Sequence, residues 1–75
     1  MLYNVIDACM IGENTLVTIE GKGERLRNNM NITDSEGKRY ILISVGMITG
    51  RDAAERNETI VLIEGRFESK IFRDN

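Results

Sequence analysis

Two segments of this chain alternate apolar and outward-facing positions and then end alike. They are Val17-Thr18-Ile19-Glu20-Gly21-Lys22-Gly23 and Val61-Leu62-Ile63-Glu64-Gly65-Arg66. Successive side chains of a strand leave opposite faces, so a period of two marks a half-buried strand. In the first segment Val17 and Ile19 share one face, with Leu16, Thr18 and Glu20 on the other. The same pattern predicts strands over residues 2–10, 15–20, 30–33, 38–45 and 59–64, an extended stretch over 24–27, and a final strand over 66–72. In the longest, Ile41, Ile43 and Val45 share a face opposite Tyr40, Leu42 and Ser44. The expected core is Val17, Ile19, Ile41, Ile43, Ile60, Leu62 and Phe67.

Turn signals separate these runs. Gly12-Glu13-Asn14 closes the first hairpin, and Asp34-Ser35-Glu36-Gly37 has the residue order of a type I turn. Gly21, Gly23, Gly37 and Gly65 stand where the chain must bend, and Asn28-Asn29 tolerates a left-handed backbone. Residues 51–58 are the one helix-like stretch, with Arg51/Glu55 and Asp52/Arg56 four apart, and are expected to form a loop with at most one turn. The predicted fold is all-β: one domain over residues 1–75, a small closed or nearly closed antiparallel barrel of six or seven strands. The two Ile-Glu-Gly endings lie forty-four residues apart. Coincidence of two strand ends accounts for them as well as duplication does.

Composition narrows the biology. The chain has 75 residues, 41% of them hydrophobic, near the size at which a core barely suffices. Closing the sheet or pairing with a second copy would remove exposed edges. The formal charge is −2, unevenly spread. Residues 1–20 carry three acids and no base, whereas residues 21–39 carry five bases against three acids. The lone Cys9 excludes an internal disulfide, and beside Ala8, Met10 and Ile11 it reads as a buried thiol. The first residues lack a basic leader pattern and no run reaches the ~20 apolar residues of a membrane helix. A cytoplasmic location and no membrane partner are therefore expected.

No catalytic constellation is evident. Gly21-Lys22-Gly23 lacks the Gly-x4-Gly-Lys-Ser/Thr spacing and following helix that cradle a phosphate, and reads as a β-corner. Asp52, Glu55 and Glu58 lie beside Arg51 and Arg56 and read as a solvated, ion-paired loop rather than an acid/base pair. One Cys and no His leave no zinc set, and no cofactor or metal is expected. Arg25, Arg27, Lys38 and Arg39 are the candidate ligand face, expected to converge if residues 24–33 and 38–45 pair through the 34–37 turn. The alternative is a solubilising face. Tyr3, Tyr40, Phe67 and Phe72 are the available stacking residues, most of them expected in the core. Strand alternation over 66–72 leaves Phe72 outward, which suggests a homodimer burying that residue.

The run Val17-x-Ile19-x-Gly21-x-Gly23, followed by Asn28, Met30, Gly37 and Ile41-x-Ile43, resembles the second-domain β-barrel of translational GTPases such as elongation factor Tu. Residues 57–65, Asn-Glu-Thr-Ile-Val-Leu-Ile-Glu-Gly, are similar to that family's Gly-Asp-x-Val-Gly-Leu-x-Leu-x-Gly strand. The likeness covers residues 17–65. It departs from the family at Asn28 and Asn57, where Gly is usual, at Arg25, where an apolar residue is usual, and at Glu58, where Asp is common. The resemblance implies a stand-alone barrel without GTPase chemistry, of a kind that touches transfer RNA, ribosomal RNA or a neighbouring protein domain. Two functions follow as expectations: a non-catalytic module binding RNA or a ribosome-associated partner, or a protein-interaction or self-assembling module.

Overall fold

Strands form wherever an alternating or continuous apolar run is bounded by Gly, Asn or Asp. A computed structural model describes residues 1–47 and 57–74 and contains six of them: β1 (Leu2–Ile11), β2 (Asn14–Glu20), β3 (Met30–Asp34), β4 (Arg39–Met47), β5 (Glu58–Ile63) and β6 (Ile71–Asp74). All neighbours are antiparallel and the sheet closes in the order β1-β2-β5-β4-β3-β6. No helix is present among the described residues, so none is long and apolar enough to cross a membrane. The loop expected over 51–58 lies outside the described residues except for Asn57 and Glu58, the second of which begins β5.

The repeated strand ending has a structural counterpart. In full it reads Thr-x-Val-x-Ile-Glu-Gly, at residues 15–21 and 59–65. β2 and β5 pair with Val17 opposite Val61, Thr15 opposite Ile63 and Ile19 opposite Thr59. The motif thus pairs with itself about an approximate two-fold axis. That axis relates β1 to β4 and β3 to β6 as well. A register shift leaves Ile6 as the extra residue of β1 against Ile19 and Thr18. The related shift leaves Ile43 extra in β4 against Ile63 and Leu62. Across the barrel, β3 and β6 pair symmetrically about Thr33 and Arg73. The Thr15 hydroxyl donates to the Gly65 carbonyl (2.7 Å), and the Thr59 hydroxyl donates to the Gly21 carbonyl (2.8 Å).

The inward faces carry Tyr3, Val17, Ile19, Ile32, Leu42, Val61, Ile63 and Phe72, with Leu26 and Phe67 buried from the two crossing connections. Val17, Ile19 and Phe67 are core as expected. Four other expected core residues are not: Ile41 is exposed, and Ile43, Ile60 and Leu62 are only half-buried. The bulge explains β4. Because Ile43 is an inserted residue, Leu42 and Val45 both face inward although three apart. In β5 both alternating sets are apolar, so alternation alone could not choose between them. Residues 24–27 and 66–70 are turns and irregular chain rather than strands, so the barrel has six strands and not seven. Phe72 is fully buried and stacks on Tyr3, which removes the outward Phe72 on which the expected homodimer rested.

Gly21, Gly23, Gly37 and Gly65 all have positive φ, as do Asn29 and Asn57. The left-handed residue of the Asn pair is thus Asn29 rather than Asn28. At Gly23 space is also short: a Cβ would lie 3.1 Å from Leu26 Cδ1, so the glycine lets Leu26 close one end of the barrel.

Leu42→Ala should cost roughly 2–5 kcal/mol in urea unfolding, whereas Ile41→Ala should cost well under half as much. Equal losses would return β4 to the opposite face. Thr15→Val should destabilise by about 1–3 kcal/mol, because the Gly65 carbonyl loses its donor and the buried Phe67 N–H is left without its acceptor; the same denaturation curve reads it.

Candidate interaction surfaces

The four basic residues do not converge. Arg25 and Arg27 lie in the connection before β3, and Lys38 and Arg39 follow the turn after it. The five residues of β3 separate the pairs by roughly 13 Å along the barrel. At the first end Arg25 lies close enough to act on Tyr3. Burial pushes the Tyr3 phenol above its ordinary value and the Asp74 carboxylate adds to this, while the Arg25 charge opposes it. The Tyr3 hydroxyl is buried with no hydrogen bond of good geometry.

The second end is organised by Asp34. Its Oδ1 accepts the N–H groups of Glu36 (2.9 Å) and Lys38 (2.9 Å), and its Oδ2 accepts the Tyr40 hydroxyl at 3.2 Å. Gly37, at φ 85°, turns the chain so that these N–H groups face the carboxylate. Partial desolvation alone would raise the Asp34 pKa. The N–H donors of Lys38 and Glu36, the Tyr40 hydroxyl and the Lys38 charge outweigh it, and the group titrates below its ordinary value. Tyr40 is pushed up, first by desolvation and then by its bond to Asp34. Lys38 Nζ stands 5.2 Å from the Tyr40 ring centroid, and Phe67 meets that ring edge-on at 4.9 Å. Beside this turn Lys38, Arg39 and Arg66 line an open groove of about 370 Å³ with Asn31, Tyr40 and Glu64. Of the four aromatic side chains, Tyr40 alone is not fully buried.

A second surface was not foreseen from the sequence. Beyond Leu42, the edge of β4 is covered by the connection from β2 to β3. Asn29 N–H donates to the carbonyls of Leu42 (2.8 Å) and Ile43 (3.3 Å), and Val45 N–H donates to Asn28 Oδ1 at 2.9 Å. The symmetry-related edge of β1 is open. Val5 N–H donates to the Lys70 carbonyl at 2.8 Å. Past that point residues 6–11 have no backbone partner on this side among the described residues. Ala8 stands where Val45 stands in the other half, so its N–H points to the open edge.

The difference lies in the connections. Nine residues join β2 to β3, and seven join β5 to β6. The shorter one is drawn across the barrel end, where Phe67 N–H donates to Thr15 Oγ1 at 2.9 Å. It leaves a groove of about 300 Å³ between Ala8, Cys9 and Met10 on one side and residues 66–68 on the other. Along this edge Ile6, Met10 and Ile11 are each about half exposed (51%, 46% and 52%). Cys9, expected to be buried, is exposed. The register explains it: Cys9 lies opposite half-buried Leu16 on the outer face.

The chain matches no family model, no curated protein and no solved structure.

Because the folded Asp34 pKa is depressed, its stabilisation is complete above the unfolded value and is lost as pH falls through the folded one. Melting temperatures followed from pH 7 down to the acid limit should show this loss in the parent protein. Asp34→Asn should melt lower at pH 7 and show a shallower decline toward acid; identical profiles would mean that the carboxylate contributes nothing.

Proposed function

We propose that this barrel is a non-catalytic binding module that engages proteins by strand addition along β1. The observation that carries it is the open edge of residues 6–11, flanked by exposed Ile6, Met10 and Ile11. A free edge offers main-chain donors and acceptors in a row, and the flanking side chains supply apolar contact. Natural edges are usually blunted by Lys, Pro or a covering loop. Residues 7–11 carry only Asp7 as a charge and contain no Pro.

RNA binding, with a role among ribosome-associated factors, is the second reading. It is favoured by the groove between Lys38, Arg39 and Arg66, and by the likeness of residues 17–65 to the second-domain barrels of translational GTPases. Against it stand the net charge of −2, the separation of Arg25 and Arg27 from Lys38 and Arg39, and the burial of Tyr3, Phe67 and Phe72. Base-stacking grooves need those rings at the surface.

Immobilised protein in native extract separates the two. Retained protein, whether a second copy of the chain or another protein, should survive ribonuclease and moderate salt. It should fall by about tenfold or more with Ala8→Pro, which removes one edge donor and blocks approach of a strand. Retention that vanishes with ribonuclease and declines steeply with salt would instead favour the RNA reading.

A further inference from the structure

Resting on the proposal of a strand-accepting β1, we infer that the strand it accepts is β1 of a second copy, paired antiparallel about a two-fold axis at Cys9. The geometry of the open edge selects this register. A two-fold axis perpendicular to a sheet keeps each face on its own side. Opposed residues in such a pair must therefore share a face, so a residue can meet only its own copy or one an even number of positions away.

The bulge at Ile6 ends the regular edge on one side, and Val5 N–H is already taken by Lys70. The strand ends at Ile11 on the other side. The regular free segment is thus residues 7–11, and its centre is Cys9. Full overlap of this segment with itself sets Cys9 opposite Cys9, Ala8 opposite Met10 and Asp7 opposite Ile11.

The hydrogen-bonding directions agree with that register. Gly21 N–H donates to the Asn57 carbonyl, on the β5 side of β2, so Ile19, Val17 and Thr15 direct their backbone groups toward β5 as well. Ala8 and Met10, opposite Val17 and Thr15, consequently direct theirs away from β2 and toward the open edge. In the symmetric pair Ala8 and Met10 of each copy face one another and exchange N–H to carbonyl bonds.

Side-chain chemistry agrees too. The one charge of the segment, Asp7, lies opposite Ile11, so the two carboxylates sit at opposite ends of the contact and do not face each other. Like charges directly opposed would oppose pairing. The choice of a second copy over another chain follows from closure. Every other strand is paired on both sides within the closed barrel, and the covered edge of β4 offers no second docking line. A two-fold pair consumes both β1 edges and ends the assembly at two. The outer row Leu62-Leu16-Cys9 then continues into the same row of the other copy.

Sedimentation equilibrium up to about 100 µM, a range suited to interfaces smaller than standard size, tests this on the whole chain. The parent protein should reach twice its 8.5 kDa mass. Ala8→Pro should remain a monomer. Cys9→Lys, at an exposed position, should keep its far-ultraviolet circular dichroism and also remain a monomer, because two ammonium groups would meet at the axis. Diamide should link the parent chains through Cys9 far faster than Ala8→Pro, whose thiol can react only on random collision. The opposed Cα atoms of a non-hydrogen-bonded pair, about 4.5 Å apart, are within disulfide range. A parent monomer with no rapid cross-link overturns the two-fold pair, while retention of another protein that still depends on Ala8 would leave the strand-addition proposal standing. A dimer that persists in folded Cys9→Lys overturns the register and the two-fold pair with it. If Ala8→Pro fails to fold, Cys9→Lys alone decides.

Discussion

Two crossed hydrogen bonds hold this barrel at both ends. Thr15 near the start of β2 donates to Gly65, just beyond the end of β5, and Thr59 near the start of β5 donates to Gly21, just beyond the end of β2. Each glycine has positive φ and turns its chain out of the sheet. Each carbonyl would otherwise lose its ladder partner at the moment the strand departs. The hydroxyl supplies that partner from the inner face, where Thr15 and Thr59 are almost fully buried. Because the donor belongs to the neighbouring strand, the bond fixes where each connection begins its crossing. Leu26 and Phe67 then reach the barrel ends and close the core.

The two halves share this frame but not their surroundings. Tyr40 and Asp34 in one half correspond to Tyr3 and Asp74 in the other. Tyr40 donates to Asp34 at the surface, whereas the Tyr3 hydroxyl is enclosed. Asp74 instead pairs with the terminal ammonium of Met1 at 2.7 Å. The same divergence governs the edges. The longer connection lies along β4 and satisfies it with Asn28 and Asn29, while the shorter one is pulled over the barrel end and leaves residues 6–11 of β1 without a backbone partner on that side among the described residues. A difference of two residues between the connections thus separates a covered edge from one without a backbone partner among the described residues.

The positions of β1 to β5 and the turn glycines were legible because alternation and positive-φ requirements are local. The inward face of β2 was legible because Thr18 and Glu20 mark its outside. The faces of β4 and β5 were not, because apolar residues occupy both sets and a bulge reverses the order at Ile43. The repeat held the missing information: superposing Thr59-x-Val61-x-Ile63 on Thr15-x-Val17-x-Ile19 assigns Val61 and Ile63 to the core. Alternation also misplaced Phe72. Residues 66–70 are irregular, so counting parity through them carried the wrong phase into β6. The open edge of β1 was hidden for a different reason. Whether a strand finds a neighbour depends on the path of a connection sixty residues away, which no local pattern records.

β6 has four residues, yet it pairs with β1 on one side and with β3 on the other. It is also the last strand in chain order, so the ring stays open until it has been made. As a chain leaves the ribosome, β1 and β2 can form their hairpin early, but β2 waits for β5 before its second edge is satisfied. Through that interval the unclosed edges of β1, β2 and β3 are exposed together, each able to pair with a neighbouring chain. Nascent copies spaced along one messenger are the nearest such neighbours. Emergence of residues 71–74 therefore sets the time at which pairing within the chain can overtake pairing between chains.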